Sequence, residues 1–504
     1  MKFLIVVMLV LDCISKHEGT NTNIKKIEKD LEDNESESSS KYYLLDPVKD
    51  TRELKKRRKQ RKTAKPTKKH GAANTTTLYR KIVFGYQGWF CTDKAANLGW
   101  THWSTKTPPS AISANFDLFP DVSDYTASAL SNNTLLTNKV TGQPMYLYDS
   151  LEVVDVHFSW MEEYGIHGVA VQRFVSQLVV PRWRDRNDQV LIACMRAAEK
   201  YSRAFFVEYD TSGADTTTWA DVIQKDWEKL TKVLNVTSSR AYQREGTKPI
   251  LKIFGIGFLG NPGNASDSLA LVQSLKSLGV LLIGSVPTFW RDGKGDSKSG
   301  YNEVYQAMDV ISPWLVGRFS SPAKFDDMFK GVFLKDLSLT SSRQQGYAPT
   351  VFPGFSWKNL QRRRGRDFPL NQIPRNGGKF WEHQVKAFIQ NLVDATTGIG
   401  AYYLMAAMFD EFDESTAMMK AASNSYDIPL EGTFLHLSID GEELPSDHYL
   451  RLAGKYSLKF SKVGCKRLIP PASDRMFVLS TKELVHYQLR AKQIELLRQD
   501  VLLS

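Results

Sequence analysis

The sequence predicts a (β/α)8 TIM barrel flanked by a disordered basic N-terminal stem and a C-terminal helical extension, and three observations carry that prediction. From about Tyr79 onward, eight short β-like runs alternate with segments of helical spacing. The residues at the carboxyl ends of those runs are polar or aromatic where core packing would not ask for it. No GxGxxG or Walker sequence follows any run, which weakens an open nucleotide-binding sheet as the alternative. At 504 residues, 42% hydrophobic and 11% aromatic, the chain has material for one barrel of about 250 residues or more, plus extensions.

Residues 1–15 read as a signal peptide: Lys2 precedes the apolar run Phe3–Leu11, which is short for a membrane span. An uncleaved signal anchor is the alternative, and either form sends the remainder into the secretory pathway. Five Asn-X-Ser/Thr sequons, at Asn34, Asn74, Asn132, Asn235 and Asn264, agree with a glycosylated lumenal or secreted protein. Residues 16–77, rich in charge, Ser and Thr, read as a disordered stem. Residues 51–70 hold eleven Lys/Arg against Glu53 alone, a local charge of +10 out of the net +11. The folded part is therefore close to neutral, and the basicity is no sign of a nucleic-acid partner. The block Lys55–Lys62 is a solvated tail, a contact for acidic glycans or membrane surfaces, or a convertase site after Arg61.

Residues 78–460 form the expected barrel domain. Its strands are read at 82–86, 168–174, 204–210, 250–255, 281–287, 310–316, 347–352 and 401–409. Helical stripes lie between them: Leu151, Val154, Phe158 and Met161; Leu191, Cys194, Ala198 and Tyr201; Ile223, Trp227, Leu230 and Leu234; Trp381, Val385, Phe388 and Leu392. The long insertion 87–150 carries Gly99–Ser104 and Asn115–Asp121, and loops of that length are usually functional. Only Cys91, Cys194 and Cys465 follow the signal, without metal spacing; Cys194 reads as core, and a Cys91–Cys465 pairing stays open. Residues 461–504 are the C-terminal extension, with a helical run over Thr481–Leu503 that reads as a docking helix.

The last strand delivers four carboxylates, Asp410, Glu411, Asp413 and Glu414, to a surface. In a barrel that is the catalytic face, where paired carboxylates serve as general acid and base, although a solvated acidic turn is the plain alternative. Other strand ends bring Tyr86, Gln87 and Trp89; Arg173; Asp210; Trp290 and Arg291; Trp314 and Arg318; and Trp357. Tryptophans gathered at one face suit sugar stacking, while Asp and Arg bind hydroxyls. His102 and Trp103 come from the insertion. No metal or cofactor is expected, since three ligands at metal spacing are absent from the sequence.

The motifs Gly85–Phe90, Glu163–Gly168, Gln172–Phe174, Val286–Arg291, Pro313–Arg318, Phe352–Trp357, Ile373–Asn376 and Met408–Glu414 resemble glycoside hydrolase family 71/99-like proteins, over roughly residues 80–458. The resemblance implies a secreted (β/α)8 glycan-processing enzyme, distantly related to endo-α-mannosidases of family 99 and α-1,3-glucanases of family 71. In family 99 a Glu-X-X-Glu motif supplies both catalytic carboxylates; Glu411 and Glu414 occupy those positions, while Asp410, Phe412, Asp413 and Ser415 depart from the family's Asn-Glu-Trp-His-Glu-Gly. By that analogy Glu411 assists attack by the substrate's own 2-hydroxyl, and Glu414 is acid and then base. The resemblance also brings Arg375 and Asp410 into the substrate-binding set.

The expected function is a retaining hydrolase of α-linked glycans, mannan-, glucan- or N-glycan-like. The alternatives are an inverting α-glucanase and a lectin-like barrel that binds carbohydrate without cleaving it.

Overall fold

The computed structural model describes residues 70–390 and 400–462. The signal segment, residues 16–69 of the stem, Leu392, Cys465 and Thr481–Leu503 lie outside the described residues. Ten strand segments form one sheet, nine on a single path and Arg244–Glu245 paired antiparallel to one of them. The barrel strands are β1 Ile82–Tyr86, β2 Gly168–Phe174, β3 Ala204–Asp210, β4 Lys248–Phe254, β5 Leu281–Val286, β6 Val310–Pro313, β7 in two pieces, Gly346–Tyr347 and Thr350–Val351, and β8 Leu404–Ala406. Every pairing along the path is parallel. The first piece of β7 pairs with β6 and the second with β8, so the ring closes through it. Pro349, which has no N–H to give a ladder, sits at the break.

Helices cover the outside: α1 Ser150–Tyr164, α2 Pro181–Tyr201, α3 Trp219–Lys232, α4 Ala265–Ser277, α5 Asn302–Ala307, α6 Pro322–Met328, α7 Leu334–Ser342, α8 Lys379–Gln390 and α9 His448–Ser461. A π-helical turn, Phe329–Phe333, joins α6 to α7. Each begins and ends for local reasons, as α1 illustrates. The Asp149 side chain accepts from Leu151 N–H at its start, and Gly165 at φ 72° closes it, a conformation that favours glycine. Its stripe of Val154, Phe158 and Met161 is buried against the sheet, as the spacing predicts.

Residues 70–77 are not free stem. Ala73 N–H donates to Ser202 O at 2.9 Å, Arg244 N–H donates to Thr75 O at 2.8 Å, and Thr77 Oγ1 donates to Glu245 at 2.9 Å. The expected boundary at 77 is corrected accordingly, because these backbone groups find partners on the amino-terminal side of the barrel.

Strand alternation decides what reaches the interior. Pairing aligns Phe174, Asp210 and Phe254 in one row and Gln172, Glu208 and Lys252 in the row beneath. The lower row holds a fully buried Lys252–Glu208 pair at 2.9 Å, and the upper row opens at the barrel mouth. Tyr86, aligned with Val171, and Arg173, aligned with Tyr209, belong to the opposite face and point toward the helices.

Candidate active site

β8 ends earlier than its apolar run, which continues to Phe409, because the chain folds back on itself. Met408 N–H donates to Thr416 O at 3.2 Å, Met418 N–H to Met408 O at 3.0 Å, and Met419 N–H to Phe409 O at 3.0 Å. Between these closures residues 412–415 make a tight turn, with Ser415 N–H on Phe412 O at 3.1 Å and Ser415 at φ 55°. A turn of that kind brings residues three apart to one side, so Glu411 and Glu414 both line one cleft.

The turn is held from several directions. Phe412 is buried against Phe90, Trp103 and Tyr148. Asp410 accepts Gln87 N–H and Gly88 N–H at 2.8 Å each, tying the turn to the end of β1. Arg375 Nη2 donates to Ser415 O at 2.8 Å and Ala417 O at 2.7 Å. His102 Nδ1 lies 2.6 Å from Asp413 Oδ2, and its ring stacks on Trp89 at 3.7 Å and 9°. Trp89 in turn stacks on Phe174 at 4.7 Å. Ser356 N–H donates to Glu414 O at 3.0 Å, and the buried Asp117 carboxylate fixes that loop through Ser356 Oγ and the N–H groups of Lys358 and Asn359.

Burial pushes the acidic groups toward their protonated forms. Glu411 is held well above its ordinary value by burial and then by the charges of Asp413, Glu414 and Asp410. Glu414 is pushed up to about 7 by burial and then Asp413, against Arg364. Burial takes Asp410 up to about 7 despite its two amide donors, and Asp210 up to about 6 despite Ser212. Glu411 Oε1 accepts Asp413 N–H at 2.5 Å, whereas the Glu414 carboxyl makes no hydrogen bond among the described residues.

The cleft has a volume of about 1150 Å³. Of the residues expected at the site, Gln87, Trp89, His102, Asp210, Trp314, Arg318, Trp357, Glu411 and Glu414 line it. The others do not, and each has a physical reason. The Tyr86 hydroxyl lies 2.9 Å from His157 on α1, on the outer face of β1. Trp103 is fully buried, with Nε1 donating to Tyr148 O. Arg173 points to the helices, where Asp226 on α3 takes it at 2.6 Å and Asp188 on α2 at 2.9 Å. Trp290 and Arg291 both donate to Asp336 on α7, at 3.1 and 2.9 Å. Arg375 and Asp410 lie behind the turn and hold its backbone. Those seven are corrected from lining residues to supporting ones.

Asp413, one of the four carboxylates after the last strand, lines the cleft too, as do Gln172, Phe174, Trp183, Arg363 and Arg364, which are not among the expected site residues. Strand parity points to Gln172 and Phe174, since they share a face with Asp210. Buried polar atoms without a hydrogen-bond partner among the described residues occur on Gln87, Trp89, Gln172, Asp413 and Thr416, all residues of the cleft wall. Aromatic surface with a few unsatisfied polar atoms and raised carboxyls is what a site for a polyhydroxylated ligand provides.

Two solved structures of the GH99 endo-α-mannosidase from Bacteroides thetaiotaomicron are similar to this chain. One, in complex with Bis-Tris propane, has 16% sequence identity and a TM-score of 0.51, covering 77% of this chain and 98% of that one. The other has 15% identity and a TM-score of 0.51, covering 77% and 99%. At such identity the likeness shows a shared barrel fold. No protein-family model matches the chain, and no curated protein matches it.

Proposed function

We propose that this protein is a glycoside hydrolase that cleaves α-linked glycans with retention of configuration, using Glu411 and Glu414. The observation that carries this reading is the turn after β8, which brings two raised carboxyls to one cleft beside stacked aromatic rings. The likeness to a GH99 endo-α-mannosidase supports the same class. A cleft of about 1150 Å³ exceeds the roughly 300–1,000 Å³ usual for small ligands, which suits several sugar units.

Burial and mutual repulsion keep a proton on the pair, and both carboxyls are raised. The division of roles follows the family 99 resemblance, with Glu411 as base and Glu414 as acid; the Asp413 N–H on Glu411 Oε1 is the contact that favours ionised Glu411. Glu414 therefore protonates the departing glycosidic oxygen, and Glu411 draws the proton from the nucleophile, the substrate's own 2-hydroxyl, as it attacks the anomeric carbon. Water then attacks the anomeric carbon and opens the resulting bridge: Glu414 takes a proton from that water, and Glu411 returns its proton to the 2-oxygen. Asp413, held by His102, adds negative charge that keeps the acid protonated.

Incubation with α-linked mannans, glucans and N-glycans, followed by proton NMR, tests this reading. It predicts new reducing-end signals that appear first as the α anomer; a first-formed β anomer would move the assignment to an inverting enzyme. The pH profile tests the acid. Since Glu414 acts protonated and its pKa is about 7, kcat/KM falls as pH rises past about 7. A profile that stays flat to about pH 9 would remove Glu414 from that role. Trp89→Ala deletes a stacking surface and removes the ring stacked on His102, which keeps its edge contact with Phe90. It is expected to raise KM about tenfold, as befits roughly 1 kcal/mol or more of lost ring contact, and unchanged KM would place the sugar elsewhere.

Secretory targeting is part of the proposal. Its support is that Asn74, Asn132, Asn235 and Asn264, the sequon asparagines among the described residues, are all exposed.

A further inference from the structure

The cleft wall carries five cations from four separate segments. Lys106 comes from the insertion after β1, Arg182 from the start of α2, Lys324 from α6, and Arg363 with Arg364 from the loop after β7. None of the five is in an ion pair with a carboxylate among the described residues, whereas Arg318 beside them is taken by Asp296 at 2.5 Å. Outside residues 51–70 the chain has a net charge of only +1, from 11 − 10, so general surplus does not explain five unpaired cations at one opening. Arg363 is held by neutral partners: Nη1 donates to Thr105 Oγ1 and to Asn115 Oδ1. Those bonds orient the guanidinium, which faces the charge of Asp413 without forming a direct ion pair with it. Of the acids of the cleft, Asp210 and Glu414 are displaced toward their protonated forms by burial, so the acids offset the rim less than their number implies.

All five are exposed at the opening, so a neutral glycan gains little from their charge, whereas an anionic one meets it through charge-assisted hydrogen bonds. We propose that the cleft takes an anionic glycan, one whose sugars carry carboxylate, sulfate or phosphate groups, with Arg363 and Arg364 as the main receptors of that charge. The proposal deepens the glycosidase reading and rests on the same cleft. Arginine's planar fork suits all three anions, and two adjacent arginines beside the acidic turn set the charged sugar next to the reacting one.

The test is binding, measured by calorimetry with the full chain carrying Glu414→Gln so that turnover does not intervene. The probes are an α-1,4-linked galacturonate tetrasaccharide against its methyl ester, a heparin tetrasaccharide against its desulfated form, and a phosphomannan fragment against the dephosphorylated one. At least one anionic probe should bind about tenfold or more tighter than its neutral counterpart, the worth of one or two hydrogen bonds to a charged group. Added salt should shrink that preference. Arg363→Gln/Arg364→Gln should bring it within about threefold, and Arg182→Gln/Lys324→Gln, made on separate segments, should reduce it independently. Equal binding of every charged and neutral pair overturns the proposal. So does a preference that survives both double substitutions and disappears when the basic residues of 55–62 become Gln, which would assign it to the stem. An anionic preference that depends on Arg363 and Arg364 stands even if no product is ever released. Hydrolysis of a neutral glycan without such a preference leaves the glycosidase reading intact and removes this one.

Discussion

Glu411→Gln and Glu414→Gln are each expected to lower turnover by about 10²–10⁴-fold, the usual worth of a positioned acid or base, in a protein that remains folded. Gln keeps the shape, and at 411 its amide oxygen still accepts Asp413 N–H. The same substitutions should raise stability, with a definite pH dependence. The folded protein holds Glu414 at about 7 and Glu411 well above its ordinary value, so it binds protons that the unfolded chain releases. The wild type therefore loses stability as pH rises from about 4.5 through about 7, and the variants do not. Above neutrality Glu414→Gln should gain about 1–2 kcal/mol, discounted for the part of its carboxyl that water reaches. Thermal melts at about pH 8 and pH 4.5 check this: the gap between variant and wild type opens at the higher pH and closes at the lower. Equal melting at both would mean the carboxyls carry no such strain.

Asp410→Ala is the second large effect, and it acts without touching substrate. Both carboxylate oxygens accept amides at the end of β1, and the side chain is fully buried. Removing it strands the N–H groups of Gln87 and Gly88, at about 1–3 kcal/mol each, and frees the acidic turn from the strand beside it. We expect a loss of about 2–5 kcal/mol in unfolding free energy and a fall in kcat of about a hundredfold, since positioning errors near 1 Å carry that penalty. Asp410→Asn retains one acceptor and should fall between. Wild-type kcat in Asp410→Ala would show that the turn holds its geometry by other contacts.

The eight strands were legible because a barrel strand buried on both faces reads as a short apolar run, and each such run in the sequence became a strand. In the sequence β7 reads as one piece, although the missing donor at Pro349 marks its break. Strand ends alone do not give parity. Tyr86 and Arg173 look like site residues because they end strands, yet their neighbours one position away, Gln87 and Gln172, are the ones that line the cleft. Trp290 and Arg291 fail for a different reason: their loop turns outward to Asp336, a partner 45 residues or more away that no local pattern announces. Arg363 and Arg364 lay in plain sight in the run Arg362–Arg366. Nothing in their spacing distinguishes a cleft wall from a solvated loop; only the fold places them beside Glu414. Cys91 is buried, and Cys465, its possible partner, lies outside the described residues.

We propose that the turn after β8 performs glycoside hydrolysis. The most direct measurement incubates the full-length protein and its Glu414→Gln variant with one panel of neutral and acidic α-linked glycans, reading released oligosaccharides by mass spectrometry. A product from the wild type on at least one glycan, and none from the variant on the same glycan, is the expected result. Equal product from both proteins would contradict the assignment of the site, and tight glycan binding with no product from either would make this barrel a carbohydrate-binding protein.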